Sequence, residues 1–222
     1  MVEADSSPHR ATLTHSSSVQ ARMSALGLGY AVSFASASSQ FATMADTDKQ
    51  SFGNGTADSA FSIVALANVT NTAANRGLVS KWTAGATARE WMLFINTSDA
   101  LQFSLFDESV DIQPLRASDS AIAQGSWKIF GSSYGGTGGA TAADGITLYQ
   151  DGAVIASTPT NNASYVAMEN TGAVVSVGAN NAGAGLLFDG SLALIAVCAK
   201  ALTTPDHAAI AALCRRFFGV AL

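Results

Sequence analysis

From residue 30 to residue 198 the chain runs as eleven short stretches of apolar or alternating residues, each broken off by Gly, Asn or Asp after one strand's length. Segments of that length, rich in Val, Ile, Phe and Tyr and bounded by turn residues, are β-strands. They fall at "YAVSF" 30–34, "QFATM" 40–44, "AFSIVALANV" 60–69, "GLVSKW" 77–82, "EWMLFIN" 90–96, "LQFSLFD" 101–107, "SWKIFGSSY" 126–134, "ITLYQ" 146–150, "AVIAS" 153–157, "AVVSVGA" 173–179 and "FDGSLALIAVC" 188–198. Strands without intervening helices exclude a βαβ fold and leave an antiparallel sandwich.

The clearest local signal is "ITLYQDGAVIAS". Asp151-Gly152 separates two alternating runs, and a two-residue hairpin loop needs φ > 0 at both central positions, which Gly tolerates freely and Asp better than most residues. The pair therefore fixes the register of that hairpin. Only "TTPDHAAIAALCRRFFGV" is helical: Thr204 can cap, Pro205 suits the first turn, Ile210, Leu213, Cys214 and Phe217 recur at helical spacing, and Gly219 ends the segment. Gly-rich residues 135–145 lack the Lys-Ser/Thr of a phosphate loop and read as a surface loop.

With 222 residues, 48% hydrophobic and 12% charged, the chain suits one all-β domain with a core of its own. A net charge of −5, with 11 Lys and Arg spread along it, lacks the footprint of a nucleic-acid binder. No apolar run is long enough to span a bilayer as a helix, and the first residues carry no signal-peptide core, so export and membrane insertion are not expected. Cys198 and Cys214 read as two buried free thiols, a disulfide between them being the alternative. Residues 1–28 are polar and Ser/Thr-rich and read as an N-terminal arm, with the domain over 29–222. Such an arm suits a subunit that lays it along a neighbour in an assembly, with packing on its own domain as the alternative.

In order along the chain, "YAVSFASASSQFATMAD", "FSIVALANV", "GLVSKW", "WMLFI", "LQFSL", "GSWKIFGSSY", "LYQDGAVIAS", "VVSVGAN" and "FDGSLALIAVCAKALTTPDHAAI" resemble the laminin-G-like, concanavalin-A-like jelly roll over about residues 29–220. The resemblance implies a two-sheet antiparallel jelly-roll sandwich with one short C-terminal helix. Tyr149, Asp151 and Gly152 match the family's hairpin turn, and Gly190 and Leu202 its closing strand and helix start.

Chemistry is sparse. The glucanase branch of that superfamily needs Glu-x-Asp-x-x-Glu on one strand, and Glu3, Glu90, Glu108 and Glu169 cannot form it. His9, His15 and His207 show no zinc-type spacing, and no Ser-His-Asp set is evident. "DESVD" 107–111 is a solvated loop or, alternatively, a calcium site through Asp107 and Asp111. Trp82, Trp91 and Trp127 sit in strand patterns and are expected in the core. Tyr134 and Tyr165, nearer loops, are the candidate glycan contacts. The expectation is a non-enzymatic protein without cofactor or metal. Its first reading is a bacteriophage capsid decoration subunit, located on the virion, assembled in the host cytoplasm and anchored to other virion proteins through residues 1–28. The alternative is a carbohydrate-binding, lectin-like module.

Overall fold

The computed structural model describes residues 2–4, 12–16, 20–22, 31–70, 74–83 and 87–220. Its strands are β1 (Val2–Ala4), β2 (Thr12–His15), β3 (Gln20–Arg22), β4 (Ala31–Phe34), β5 (Ala42–Met44), β6 (Phe61–Val69), β7 (Arg76–Thr83) and β8 (Ala88–Ile95). After these come β9 (Ala100–Leu105), β10 (Leu115–Ala121), β11 (Trp127–Tyr134), β12 (Ile146–Gln150), β13 (Ala153–Val154), β14 (Ser157–Thr160), β15 (Val175–Val177) and β16 (Gly190–Cys198), and helix α1 spans Thr204–Phe218. They form two antiparallel sheets. One is ordered β1-β2-β5-β15-β7-β8-β9-β10-β14, the other β13-β12-β11-β6-β16-β4-β3. The architecture is the all-β jelly-roll sandwich with one C-terminal helix.

Strand β6 shows why its sequence is apolar without interruption. Side chains alternate faces along a strand. Phe61, Ile63, Ala65, Ala67 and Val69 enter the inter-sheet core against Trp91, Leu93, Phe103 and Phe130. Val64 and Leu66, on the other face, pack under α1 with Ile129, Ala211 and Cys214. Each such large side chain contributes about 1.5–3 kcal/mol by leaving water.

Helix α1 begins one residue earlier than the sequence suggested. Thr203, not Thr204, is the N-cap, and it exchanges hydrogen bonds with Asp206 in a capping box. Its buried face also differs: His207, Ala211 and Cys214 point inward, whereas Leu213 and Phe217 are 52% and 51% exposed. The helix lies close on the sheet, with glycines beneath both the His207 ring and Ala211. A Cβ on Gly152 would stand 2.9 Å from Ala208 Cα and from Ala211 Cβ, and one on Gly131 would stand 2.7 Å from the His207 ring.

Strands β10 and β14 were not legible as strands. They are polar, lie at one edge of their sheet, and pair through Arg116↔Pro159 and Ser118↔Ser157. Residues 139–145 are not wholly a surface loop, since they form a 3-10 helix that buries Ala142 and Ala143. Much of the expected arm, residues 1–28, lies outside the described residues. Its described strands pair within the same chain: β1 with β2, β2 with β5, and β3 with β4.

Candidate functional site

At the edge where the two sheets part, the chain leaves β13, crosses through Ile155 and Ala156, and enters β14 on the opposite sheet. This crossing walls a cleft of about 480 Å³ that includes Arg116, Asp119, Asp144, Thr147, Val154 and Ser157. Pairing of β10 with β14 sets the Arg116 side chain, whose Nε donates to Ser157 Oγ at 2.8 Å and whose terminal nitrogens donate to Ser157 O at 2.9 Å and Ala143 O at 3.4 Å. A guanidinium has five N–H groups, so two are left for a ligand. Asp119 Oδ1 accepts from the Thr158 hydroxyl at 2.7 Å, and Asp144 Oδ1 accepts from Asn161 Nδ2 at 3.0 Å. Among the described residues the second oxygen of each carboxylate stays unbonded. Val154, 54% exposed, adds an apolar patch beside them. The cleft can therefore accept from hydroxyl or amine donors, donate to an acceptor, and cover a C–H face.

Tyr134 and Tyr165 are not part of any such surface. They are 0% and 2% exposed, and both hydroxyls donate to Asp58 Oδ2, at 2.7 and 2.8 Å, while Met168 N donates to Asp58 Oδ1. The glycan-contact expectation is corrected: both rings are core, and their polar ends are satisfied internally. Burial pushes the Asp58 carboxyl pKa up, against the pull of the Tyr134, Met168 and Tyr165 hydrogen bonds. It pushes both tyrosine pKa values up as well, assisted by the Asp58 charge.

Asp151 and Gly152 form the two-residue turn between β12 and β13, with φ of 55° and 89°. Asp151 also ties the turn to β11, accepting from Lys128 Nζ at 2.9 Å and Ile129 N at 3.1 Å. Their role is structural.

At 107–111, the calcium alternative, both aspartate carboxylates have partners within the protein. Asp107 Oδ1 accepts from Ser109 N and Oγ, Oδ2 accepts from Val166 N, and the exposed Asp111 pairs with Arg89. Burial works to raise the Asp107 pKa, yet donors from Ser109, Val166 and Ala167 outweigh it and hold the carboxyl below its ordinary range. Among the described residues no three His, Cys, Asp or Glu side chains gather as a metal cluster.

Glu90, Glu108 and Glu169 are committed to structural partners. Glu108 takes a two-pronged pair from Arg89, Glu169 accepts the backbone N–H groups of Glu108 and Ser109, and Glu90 pairs with Lys81. Sequence reasoning missed one nucleophile-like pair, Ser133 Oγ at 2.9 Å from His207 Nε2. It is sealed beneath α1: Ser133 also donates to Leu202 O, and the His207 ring stacks on Tyr149 at 3.7 Å between centroids. Both cysteines are free, and burial pushes their thiol pKa values up, away from nucleophilic character. Trp91 is core. Trp82 instead joins Met92, Phe94 and Phe106 on the outer face of the larger sheet, and Trp127 packs at the margin of the cluster under α1.

A family model described as the concanavalin A-like lectin/glucanases superfamily matches residues 29–206. The chain belongs to that superfamily. No curated protein sequence matches it. Among solved structures, the superfamily fold is shared with the carbohydrate-binding module of the Ruminococcus gnavus IT-sialidase bound to α2,3-sialyllactose. That pair has a TM-score of 0.54 and 15% identity, over 71% of this chain and 84% of that one. It is shared too with the receptor-binding domain of botulinum neurotoxin mosaic serotype C/D, at TM-score 0.65 and 11% identity, over 94% of this chain and 47% of that one. The binding domain of botulinum neurotoxin DC in complex with SialylT gives 0.60 and 12%, over 95% and 48%. The chain spans about half the length of the neurotoxin domains, and identities this low establish the shared fold alone.

The cleft residues Arg116, Asp119, Asp144 and Ser157 were not found from sequence. The usable signal was the alternation in "LRASDSA", which places Arg116, Ser118 and Ser120 on one face of a strand and so marks a polar edge.

Proposed function

We propose that this domain is a non-catalytic glycan-binding module whose ligand enters the edge cleft between β10, β12, β13 and β14. The observation that carries the reading is the pair of free carboxylate oxygens, on Asp119 and Asp144, beside the Arg116 guanidinium and exposed Val154. Charged acceptors and a donor for sugar hydroxyls, with an apolar contact for a ring face, are the recurring content of small-molecule sites. The reading is supported by structural neighbours that are carbohydrate-binding and receptor-binding domains, two of them solved with sialylated glycans.

The cleft's own charge argues for a different sugar class. One guanidinium, already engaged by Ser157 and Ala143, stands against two carboxylates, and a net negative cleft disfavours an anionic sugar. Neutral and amino sugars are the expected ligands. No observation favours the particle-subunit reading over this one, since the described strands of residues 1–28 find their partners in the same chain.

The test is titration of the protein, followed by amide chemical shifts, with neutral, amino and sialylated oligosaccharides. Shifts at Asp119, Asp144 and Ser157 with neutral or amino sugars are expected, and sugar chains should remain uncut after prolonged incubation. Flat titrations across the whole panel overturn the glycan reading, and binding restricted to sialylated sugars overturns the charge argument.

A further inference from the structure

Lys81 is buried in the middle of β7, its ammonium enclosed by oxygen atoms from three separate stretches of chain. Nζ lies 2.7 Å from Glu90 Oε1 on β8, 2.7 Å from Asp46 Oδ1 beyond β5, and 2.7 and 3.1 Å from the carbonyls of Thr171 and Ala173 before β15. Lys81 and Glu90 side chains are fully buried, and Asp46 is 32% exposed.

The donors and acceptors do not match in number. An ammonium has three N–H groups. They go to Glu90 Oε1, Thr171 O and Ala173 O, so that among the described residues Asp46 Oδ1 stands in a close ion pair without a hydrogen bond and buried Glu90 Oε2 has no hydrogen-bond partner. Glu90 Oε1, meanwhile, also accepts from Ser51 Oγ, Thr171 N and Thr171 Oγ1. Four oxygens surround three protons, and two carboxylates surround one positive charge. That surplus of oxygen and of negative charge suits a hard divalent cation, which takes six to eight oxygen ligands from carboxylates, carbonyls and water.

We propose that this cage is a hard-cation site in which the Lys81 ammonium is the resident cation, so that the domain supplies from its own chain what a bound Ca²⁺ would otherwise do. The ammonium pins residues 46 and 171–173 to the larger sheet, and the wild-type fold needs no metal at this point. Removing the ammonium turns the cage into a Ca²⁺ site, which Asp46 leaves open to solvent. Mg²⁺ fits it poorly, because it demands near-octahedral ligands at about 2.0–2.1 Å and two of these oxygens are main-chain carbonyls, of Thr171 and Ala173, 2.7 and 3.1 Å from the ammonium.

The experiment measures thermal unfolding of the full chain as wild type, Lys81→Ser and Lys81→Ser/Glu90→Gln, in EDTA, in 10 mM Ca²⁺ and in 10 mM Mg²⁺, with calorimetric titration of Ca²⁺ alone. Wild type should melt at the same temperature in all three buffers. Lys81→Ser should melt lower in EDTA and recover by roughly 3–10 °C in Ca²⁺, as for a site filled ten- to a hundredfold above its dissociation constant. It should bind one Ca²⁺ and recover less in Mg²⁺, and the double variant should lose most of the recovery. If Lys81→Ser does not fold in EDTA, refolding is tried in Ca²⁺: recovery of the native circular dichroism supports the proposal, and failure overturns it. A folded Lys81→Ser indifferent to Ca²⁺ overturns it, as does a wild type stabilised by Ca²⁺ to the same extent.

Discussion

Acidification should loosen the helix from the sandwich through His207. The ring is buried between Tyr149 and the hydroxyl of Ser133, and Gly131 leaves it no room to move. Burial pushes its pKa down from 6.5 to about 4, the nearby Asp206 charge opposing only in part. In the unfolded chain His207 titrates near 6.5, so between that value and 4 the unfolded state binds a proton that the folded state refuses. Its contribution is therefore fully present above pH 6.5 and is lost as pH falls toward 4. A gap of about 2.5 units at 1.36 kcal/mol each gives roughly 3 kcal/mol. The assay is urea unfolding at a series of pH values from 7 to 4, for wild type and for His207→Gln, which keeps a donor for Ser133 but cannot titrate. Subtracting the two profiles removes the carboxylate contributions: Asp58 and Glu90, whose raised pKa values favour the fold on acidification and oppose His207, and Asp107 and Asp206, whose lowered values act in the same direction as His207. Wild type should lose about 3 kcal/mol more than the variant across that range, and parallel profiles would refute the reasoning.

Tyr165→Phe should cost about 1–3 kcal/mol by leaving buried Asp58 short of a donor, with sugar titrations unchanged, as denaturant melts and binding measured side by side would show. Gly152→Ala strains a turn residue at φ 89° and drives a methyl into Ala208 and Ala211, so a loss of about 1–3 kcal/mol is expected, measured as a lower urea midpoint. Asp119→Asn/Asp144→Asn should keep the melting temperature within a few degrees, since both side chains are exposed, while weakening amino-sugar binding at least tenfold in the same titration.

The core strands and their order were legible because burial on both faces leaves an apolar record. "FSIVALANV" could scarcely be read otherwise, and Asp151-Gly152 has few alternatives to a hairpin. What escaped was polar or relational. β10 and β14 sit at a sheet edge, where Arg, Ser and Thr are tolerated and Pro159 argues against a strand. Tyr134 and Tyr165 looked free because they flank loops, and only the fold brings Asp58 to both of them. Leu213 and Phe217 looked like the helix's inner face because a sequence pattern weighs hydrophobicity alone, whereas the glycines of the sheet receive His207 at Gly131 and Ala211 at Gly152. The Lys81 cage draws on residues 46, 81, 90, 171 and 173, a set no local window contains.

Pro159 has a further consequence for how copies of this molecule meet. It lies in β14, the last strand of the larger sheet at the cleft edge, with no N–H to offer a neighbouring strand. An outermost strand with a full row of free donors templates edge-to-edge stacking and, at high concentration, fibrillar aggregation. The proline removes one donor from that row beside the cleft, which makes this edge a poorer template for an added strand.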